Sequence, residues 1–319
     1  MSERSGLGAV EIAVLTALDS LGAQPGHGYV KSARVLAAVE DAIGLMPGYA
    51  YQVLLDLAQW WTVPVTLVSG QGNFGSRGND PPAGERYTEA RLSTAGAVVL
   101  AAERGATAPV PVGLINGNTY AGGRRPPLRP AGLIAAIREV SRRPNVTDED
   151  LVVIAGPPVF ATGHVGIGDL AALAAGRETD LRLEADVTVS ADGREVIVEH
   201  IPAGVSIDDV AINIASRARR LPAGHPGLAQ VARLPIADLR DLTDRSRHRN
   251  GRIACTPDRG TPPEEVRMRL MEVDGVYTIV RAMFPRPLAA MIRDWAAAHA
   301  AEDLPASLTA LEQALTTTG

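Results

Sequence analysis

An arginine followed directly by a tyrosine, Arg86-Tyr87, is the pair in this chain best suited to covalent chemistry. A tyrosine hydroxyl is a weak nucleophile because its reference pKa is about 10. A neighbouring guanidinium stabilises the phenolate and can hold a phosphate at the same time, and attack on a phosphodiester requires both. The pair therefore indicates a tyrosine that reacts with a backbone phosphate.

A glycine-rich segment precedes this pair. It reads Gly-Gln-Gly-Asn-Phe-Gly-Ser over residues 70–76 and follows a β-rich run, Val63–Val68. The glycine spacing does not fit a dinucleotide fingerprint, and no lysine follows it as in a phosphate-binding P-loop. We interpret the segment as the wing of a winged helix; the alternative is a plain glycine hairpin beside a surface tyrosine.

The glycine segment is followed by Arg-Tyr-Thr-Glu-Ala-Arg-Leu at residues 86–92. Together the two segments closely resemble the active-site region of the gyrase-A-type chains of DNA gyrase and topoisomerase IV, the type IIA DNA topoisomerases. The resemblance implies that Tyr87 becomes attached to the 5′ phosphate of DNA while Arg86 stabilises the transition-state charge. It also implies that Mg²⁺ and ATP are bound by a separate Toprim/ATPase subunit resembling gyrase B, and that this chain binds neither.

The resemblance extends over most of residues 10–285. It places Lys-Ser-Ala-Arg at 31–34 on the DNA backbone and Gln59 at the end of the recognition helix. The arginines at 124, 125 and 129 adjoin a segment that faces DNA in the family, which favours phosphate contacts, although ordinary solvated charge is an equal alternative. The expected DNA-binding residues are Lys31, Arg34, Gln59, Gln71, Asn73, Arg124, Arg125 and Arg129.

The predicted fold class is α+β, with a winged-helix DNA breakage-reunion domain at residues 1–125. A tower-like α+β domain with short C-terminal helices is expected at residues 126–319. Apolar periodicity predicts the elements within them. The predicted helices are Glu11–Leu21, Ser32–Ile43, Tyr49–Trp60, Ala90–Arg104, Leu133–Arg142, Ile207–Arg220, Met291–Ala301 and Ser307–Leu315, and the predicted extended segments are Val63–Val68, Pro109–Val112, Leu114–Asn116, Leu151–Ile154, Leu181–Ser190, Glu195–Ile201, Val266–Val273 and Val276–Ala282.

Departures from the family pattern favour other functions. Asp56 stands where the recognition helix of the family carries an arginine, and we expect it to repel phosphate. The sequence stops before the family's coiled-coil gate and C-terminal domain, which predicts a monomer or weak homodimer. The alternative function is therefore a non-catalytic DNA-binding or gyrase-interacting paralogue, a decoy or modulator; a nickase with another partner is a third.

Composition sets further bounds. Net charge is −5, so a protein that coats nucleic acid indiscriminately is disfavoured, although arginines cluster locally. The single cysteine and the six scattered histidines give no metal-binding spacing, so no metal ligand is predicted in this chain. No apolar run reaches the ~20 residues that span a bilayer, and the expected location is cytoplasmic, in association with the nucleoid.

Overall fold

The computed structural model describes residues 2–78, 80–117, 125–218, 233–243 and 251–316. Over these ranges the chain is a mixed α+β protein, which confirms the predicted class. The helices are α1 Ala9–Ser20, α2 Ser32–Ile43, α3 Pro47–Ala58, α4 Thr94–Glu103, α5 Val112–Asn116, α6 Pro130–Arg142, α7 Asp148–Ala155, α8 Leu170–Ala174, α9 Ile207–Ala218, α10 Pro263–Leu270, α11 Leu288–Ala298 and α12 Leu304–Thr316, and the strands are β1 Val30–Lys31, β2 Val68–Gln71, β3 Glu89–Leu92, β4 His164–Ile167, β5 Thr179–Glu184, β6 Asp186–Val189, β7 Val196–Glu199, β8 Ile236–Asp241, β9 Arg252–Pro257 and β10 Tyr277–Ala282.

The first three helices follow the predicted order, and α2 has the predicted bounds. It ends at Gly44, which adopts the left-handed conformation with φ 67° that a glycine tolerates at a helix C-terminus. Pro47 then opens α3, where its missing N–H costs nothing because the first helical N–H groups have no intrahelical partner. Local sequence signals at Gly44 and Pro47 therefore account for the break between α2 and α3.

The first sheet has the order β1-β3-β2, and all its strand pairs are antiparallel. It corrects two predictions. The run predicted as a helix from Ala90 begins as strand β3, and α4 starts only at Thr94, where the Ser93 hydroxyl accepts the N–H of Gly96. The strand predicted at Val63–Val68 lies further along at Val68–Gln71, so the first glycine of the segment, Gly70, belongs to the strand.

Two further sheets, β10-β5-β4 and β6-β7-β9-β8, lie in the second half of the chain. The extended segments predicted at Leu181–Ser190 and Glu195–Ile201 contain β6 and β7, which pair antiparallel as a hairpin around residues 191–194. The extended segment predicted at Val266–Val273 is wrong, because it is mostly helix α10, which opens at Pro263 with two acidic residues in its first turn. β10 pairs with β5 instead.

Two more predictions of extended chain are wrong. Leu151–Ile154 lies in α7, whose Thr147 cap and three acidic residues in the first turn favour a helix start. The segment around residues 112–116 forms the short helix α5. A short apolar run does not by itself distinguish a buried strand from a helix, and the flanking residues decide here.

Buried side chains form two clusters. The larger one takes in α1–α7 together with α11 and α12, and it also includes Leu181 and Leu183 of β5. The smaller one lies between α9, α10 and the sheet β6-β7-β9-β8. Residues on both sides of the expected boundary at 125/126 contribute to the larger cluster, and the division into the two expected domains stays a prediction.

The helices in the described part of the chain are all too short or too polar to cross a bilayer.

Candidate active site

Tyr87 lies on a tight turn between the glycine-rich loop and β3. Its N–H donates to the carbonyl oxygen of Gly84 at 2.8 Å, and its side chain is 64% exposed. The Arg86 guanidinium carbon lies 4.9 Å from the centre of the Tyr87 ring, within cation–π range. The turn therefore presents the phenol and the guanidinium side by side to solvent.

The backbone of this turn is fastened to the start of α2. The N–H groups of Ser32 and Ala33 donate to the carbonyl oxygens of Thr88 and Glu85, at 3.0 and 3.2 Å. The first N–H groups of a helix have no intrahelical partner, so these bonds give partners both to the N–H groups of α2 and to the carbonyl oxygens of the turn. The exposed pair consequently stands on a backbone that is held on both sides.

Side-chain hydroxyls reinforce this attachment. The hydroxyl of Thr88, which is fully buried, donates to the Ser32 hydroxyl at 2.9 Å. The Tyr51 hydroxyl lies 2.9 Å from the same Thr88 oxygen and donates to the carbonyl oxygen of Ala83 at 2.6 Å. Helix α3 thereby contacts the turn of Tyr87 through a single side chain.

The glycine-rich loop passes beneath the turn. Gly72 has φ 100°, and a Cβ there would lie 3.2 Å from the carbonyl oxygen of Tyr87. Asn73 accepts the N–H of Gly75 on its side-chain oxygen at 2.8 Å, so its amide shapes the loop. Gln59 donates to the carbonyl oxygen of Phe74 at 2.7 Å, which joins the end of α3 to the loop, and Gln71 is exposed in β2.

The expected DNA contacts near β1 differ in their surroundings. Lys31 faces Glu89 across the sheet, and its ammonium lies 2.8 Å from the Glu89 carboxylate. Arg34 is exposed on the first turn of α2. The ion pair reduces the net positive charge that Lys31 offers to a phosphate, whereas Arg34 presents its charge to solvent.

The three arginines that were predicted to contact DNA phosphates differ in their surroundings. Arg124 lies outside the described residues. Arg125 donates to the carbonyl oxygens of Gly113 and Gly117 at 2.8 and 3.3 Å, and burial lowers the pKa of its guanidinium. A phosphate contact would require it to leave these carbonyls. Arg129 is exposed just before α6, where its charge is accessible.

Asp56 is buried, although aspartate is usually a surface residue. Its side chain is 8% exposed in α3, and it accepts a hydrogen bond from Gln52 at 2.9 Å. Burial raises the pKa of the Asp56 carboxyl to about 6, against the effect of the Gln52 hydrogen bond. The carboxyl that was expected to repel phosphate is therefore buried in α3, and the repulsion itself stays a prediction.

Arg77 is a structural residue that its sequence context did not reveal. It is 8% exposed and donates to the carbonyl oxygens of Ile201 and Pro202 at 2.8 and 3.1 Å. Burial lowers the pKa of its guanidinium to about 10. It joins the glycine-rich loop to the segment after β7 and lines a cavity of about 390 Å³ with Trp61 and Phe160.

Carboxylates and imidazoles do not converge in groups of three suited to a metal ion anywhere in the described ranges. His164 and His200 contact opposite oxygens of the Asp186 carboxylate, at 3.0 and 2.8 Å, on the exposed surface of the second half.

Comparison with known proteins agrees with the motif around Tyr87. A sequence profile for the A subunit of DNA gyrase/topoisomerase IV matches residues 2–109. The DNA gyrase A subunit of Kosmotoga olearia is 29% identical over 291 residues, which cover 82% of this chain and 34% of that protein. The DNA gyrase A subunit of Streptococcus pneumoniae is 32% identical over 226 residues, covering 61% of this chain and 27% of that protein.

The chain is thus similar to the A subunits of type IIA topoisomerases, by the profile over residues 2–109 and by the Kosmotoga olearia relative over 82% of this chain's length. The profile match contains α1 to α4 and the Arg86-Tyr87 turn, and the relatives extend the similarity over the second half. This gyrase-A-like chain spans about a third of the length of the relatives that it matches.

Proposed function

We propose that this chain cleaves and rejoins DNA through a transient covalent bond at Tyr87. The phenol oxygen attacks a backbone phosphate, a 5′-phosphotyrosine forms, and the 3′-hydroxyl leaves. The released hydroxyl later attacks the phosphotyrosine and restores both the DNA and the tyrosine. The observation that carries the proposal is the exposed Tyr87 beside Arg86 on a turn whose backbone is bonded to α2.

The chemical role of each neighbour follows from its position. The Arg86 guanidinium lies over the phenol ring, where it can hold the negative charge that develops on the phosphate. The fixed backbone of residues 84–88 holds the phenol at one place on the surface, which reduces the entropy lost on reaching the reactive geometry.

The fold supports placing DNA on this face. We infer that α1–α3 and the β1-β3-β2 sheet form a winged helix, with α3 as the helix for the groove and the glycine-rich loop as the wing. Arg34 and Arg129 are exposed cations for backbone phosphates, and Gln71 and Asn73 lie on the loop. The sheets of the second half correspond to the tower-like domain of this proposal.

A partner completes the proposed reaction. Type IIA cleavage uses Mg²⁺ for charge neutralisation at the reacting phosphate. We infer that a gyrase-B-like Toprim/ATPase subunit supplies the metal ion and hydrolyses ATP, and that this chain supplies the nucleophile and Arg86. A monomer or weak homodimer remains our prediction for the chain alone.

The proposal is tested by trapping the covalent complex. The chain is incubated with supercoiled DNA, Mg²⁺ and the cognate Toprim subunit, and the reaction is stopped with detergent. Protein-linked DNA ends should form with the natural chain and disappear in Tyr87→Phe. The matched control is Tyr277→Phe, because Tyr277 also stacks with an arginine, Arg182, at 3.9 Å, but lies in β10. Equal yields from Tyr87→Phe and the natural chain would exclude Tyr87 as the nucleophile.

A second function is favoured by one observation. Helix α3 carries no basic residue, and Lys31 is paired with Glu89, so this face has fewer accessible cations than its motif suggested. These features suit a paralogue that binds DNA or gyrase without cleaving. Under that function, a gel shift with duplex DNA persists while detergent releases no protein-linked DNA from the natural chain.

A further inference from the structure

Three separate parts of the chain meet at the hydroxyl group of Tyr51. The residue belongs to α3, whereas the groups it contacts lie 32 and 37 positions further along, at Ala83 and Thr88. These two residues border the turn that carries Tyr87, one on each side. One hydroxyl thus bonds both ends of the short interval that holds the proposed nucleophile.

The geometry leaves little freedom at either end. The Tyr51 hydroxyl donates to the carbonyl oxygen of Ala83 at 2.6 Å, and the Ala83 N–H donates to the carbonyl oxygen of Asn73 at 3.0 Å. At the other end, the Thr88 hydroxyl lies 2.9 Å from both the Tyr51 and the Ser32 oxygen, and because Tyr51 gives its proton to Ala83, the single Thr88 proton is shared between these two oxygens. The turn is therefore held from the loop side by Ala83 and from the helix side by Thr88.

Burial makes the bond between Thr88 and Ser32 hard to replace, whereas the two bonds of the Tyr51 hydroxyl are partly buried. Thr88 and Ser32 are both fully buried, so water cannot readily supply a lost partner. A buried polar group that loses its partner keeps its full desolvation cost, whereas an exposed one does not. Burial also raises the pKa of the Tyr51 phenol above its ordinary value.

We propose that Tyr51 is a positioning residue for Tyr87. Its hydroxyl fixes the turn of residues 84–87 against α3 and α2, and thereby sets where the nucleophilic phenol meets the DNA backbone. The inference rests on the proposed cleavage function for its kinetic consequence, but the fixed turn itself exists in the free protein. It also makes the position of α3, the proposed groove helix, a determinant of the nucleophile's position.

The test compares Tyr51→Phe with Tyr29→Phe. Both changes remove a phenol hydroxyl that bonds another hydroxyl, since Tyr29 lies 3.0 Å from the Ser69 hydroxyl, away from the turn. Covalent-complex formation is followed in time at saturating supercoiled DNA with Mg²⁺ and the Toprim subunit. We expect Tyr51→Phe to slow it about tenfold while the Kd for DNA stays within about twofold, and Tyr29→Phe to leave the rate unchanged.

Two Thr88 variants separate the hydroxyl from the shape of the side chain. Thr88→Ser keeps the hydroxyl and should retain most of the rate, whereas Thr88→Val removes it and should slow the reaction as Tyr51→Phe does. An unchanged rate in Tyr51→Phe overturns the proposal. A loss of DNA affinity equal to the loss of rate also overturns it, because a residue that only maintains the fold or binds DNA would give that result.

Amide hydrogen exchange in the free protein gives an independent measure. We expect the amides of residues 83–88 to exchange about tenfold faster in Tyr51→Phe, with no change there in Tyr29→Phe. If the natural chain forms no covalent complex, the cleavage function fails, and the exchange measurement alone judges the positioning. Equal exchange in this segment for both variants would then refute it.

Discussion

The buried carboxyl of Asp56 predicts an unusual pH dependence of stability. Its pKa is raised from 3.8 to about 6 because the charged form loses hydration in the interior. Asp56→Asn keeps an oxygen that can accept the Gln52 hydrogen bond and removes the charge. We therefore expect the variant to unfold less readily than the natural chain at neutral pH.

The size of the effect follows from the shift. About two pKa units correspond to roughly 3 kcal/mol of differential stability between the two protonation states, and partial access of solvent reduces this to about 2 kcal/mol. Between pH 4 and 6 the folded chain keeps a proton on Asp56 that the unfolded chain has lost. The contribution of Asp56 to the free energy of unfolding thus falls as pH rises through this range, and it is lowest above about pH 6.

Urea unfolding measures this contribution. It is followed by the fluorescence of the three tryptophans at several pH values from 4 to 8. Asp56→Asn should exceed the natural chain by about 2 kcal/mol at pH 8, and the difference should nearly vanish at pH 4. Asp41→Asn, an exposed change on α2, should stay within about 0.5 kcal/mol throughout. A difference for Asp56→Asn that does not vary with pH, or a less stable variant at pH 8, would refute the reasoning.

Two changes test the surroundings of the nucleophile. Glu89→Gln frees the Lys31 ammonium, so DNA affinity at low salt should rise a few-fold and the salt dependence should steepen by about one phosphate contact, as measured by fluorescence anisotropy; an unchanged salt slope would mean that Lys31 does not reach DNA. Gly72→Ala combines a positive φ with a close approach to the Tyr87 carbonyl and should cost about 2–3 kcal/mol, whereas Gly44→Ala, which has open space, should cost about 1 kcal/mol. Equal shifts of Tm in the two variants would mean that the close contact between the new Cβ and the Tyr87 carbonyl oxygen adds no cost.

The sequence alone identified the Arg86-Tyr87 motif, which we propose to be reactive, and the elements with strong local signals. Helix α2 was predicted with its final bounds because Gly44 ends it, and a glycine is the residue that adopts φ 67° with least strain. The short runs at 151–154 and 266–273 were assigned to the wrong type of element. Their apolar spacing fits both a strand and a helix, and the caps and pairing partners that decide between them lie outside the run.

Only the tertiary structure decided which polar residues face solvent and which lie inside. Asp56 and Arg125 have ordinary surface residue types, and their burial depends on segments far away in the chain. The bonds that hold the turn of Tyr87 join residues 37 and 56 positions apart, a separation at which no sequence periodicity gives a signal. The Arg86-Tyr87 pair can therefore be recognised in the sequence because its residues are contiguous, whereas the residues that hold its turn come together only on folding.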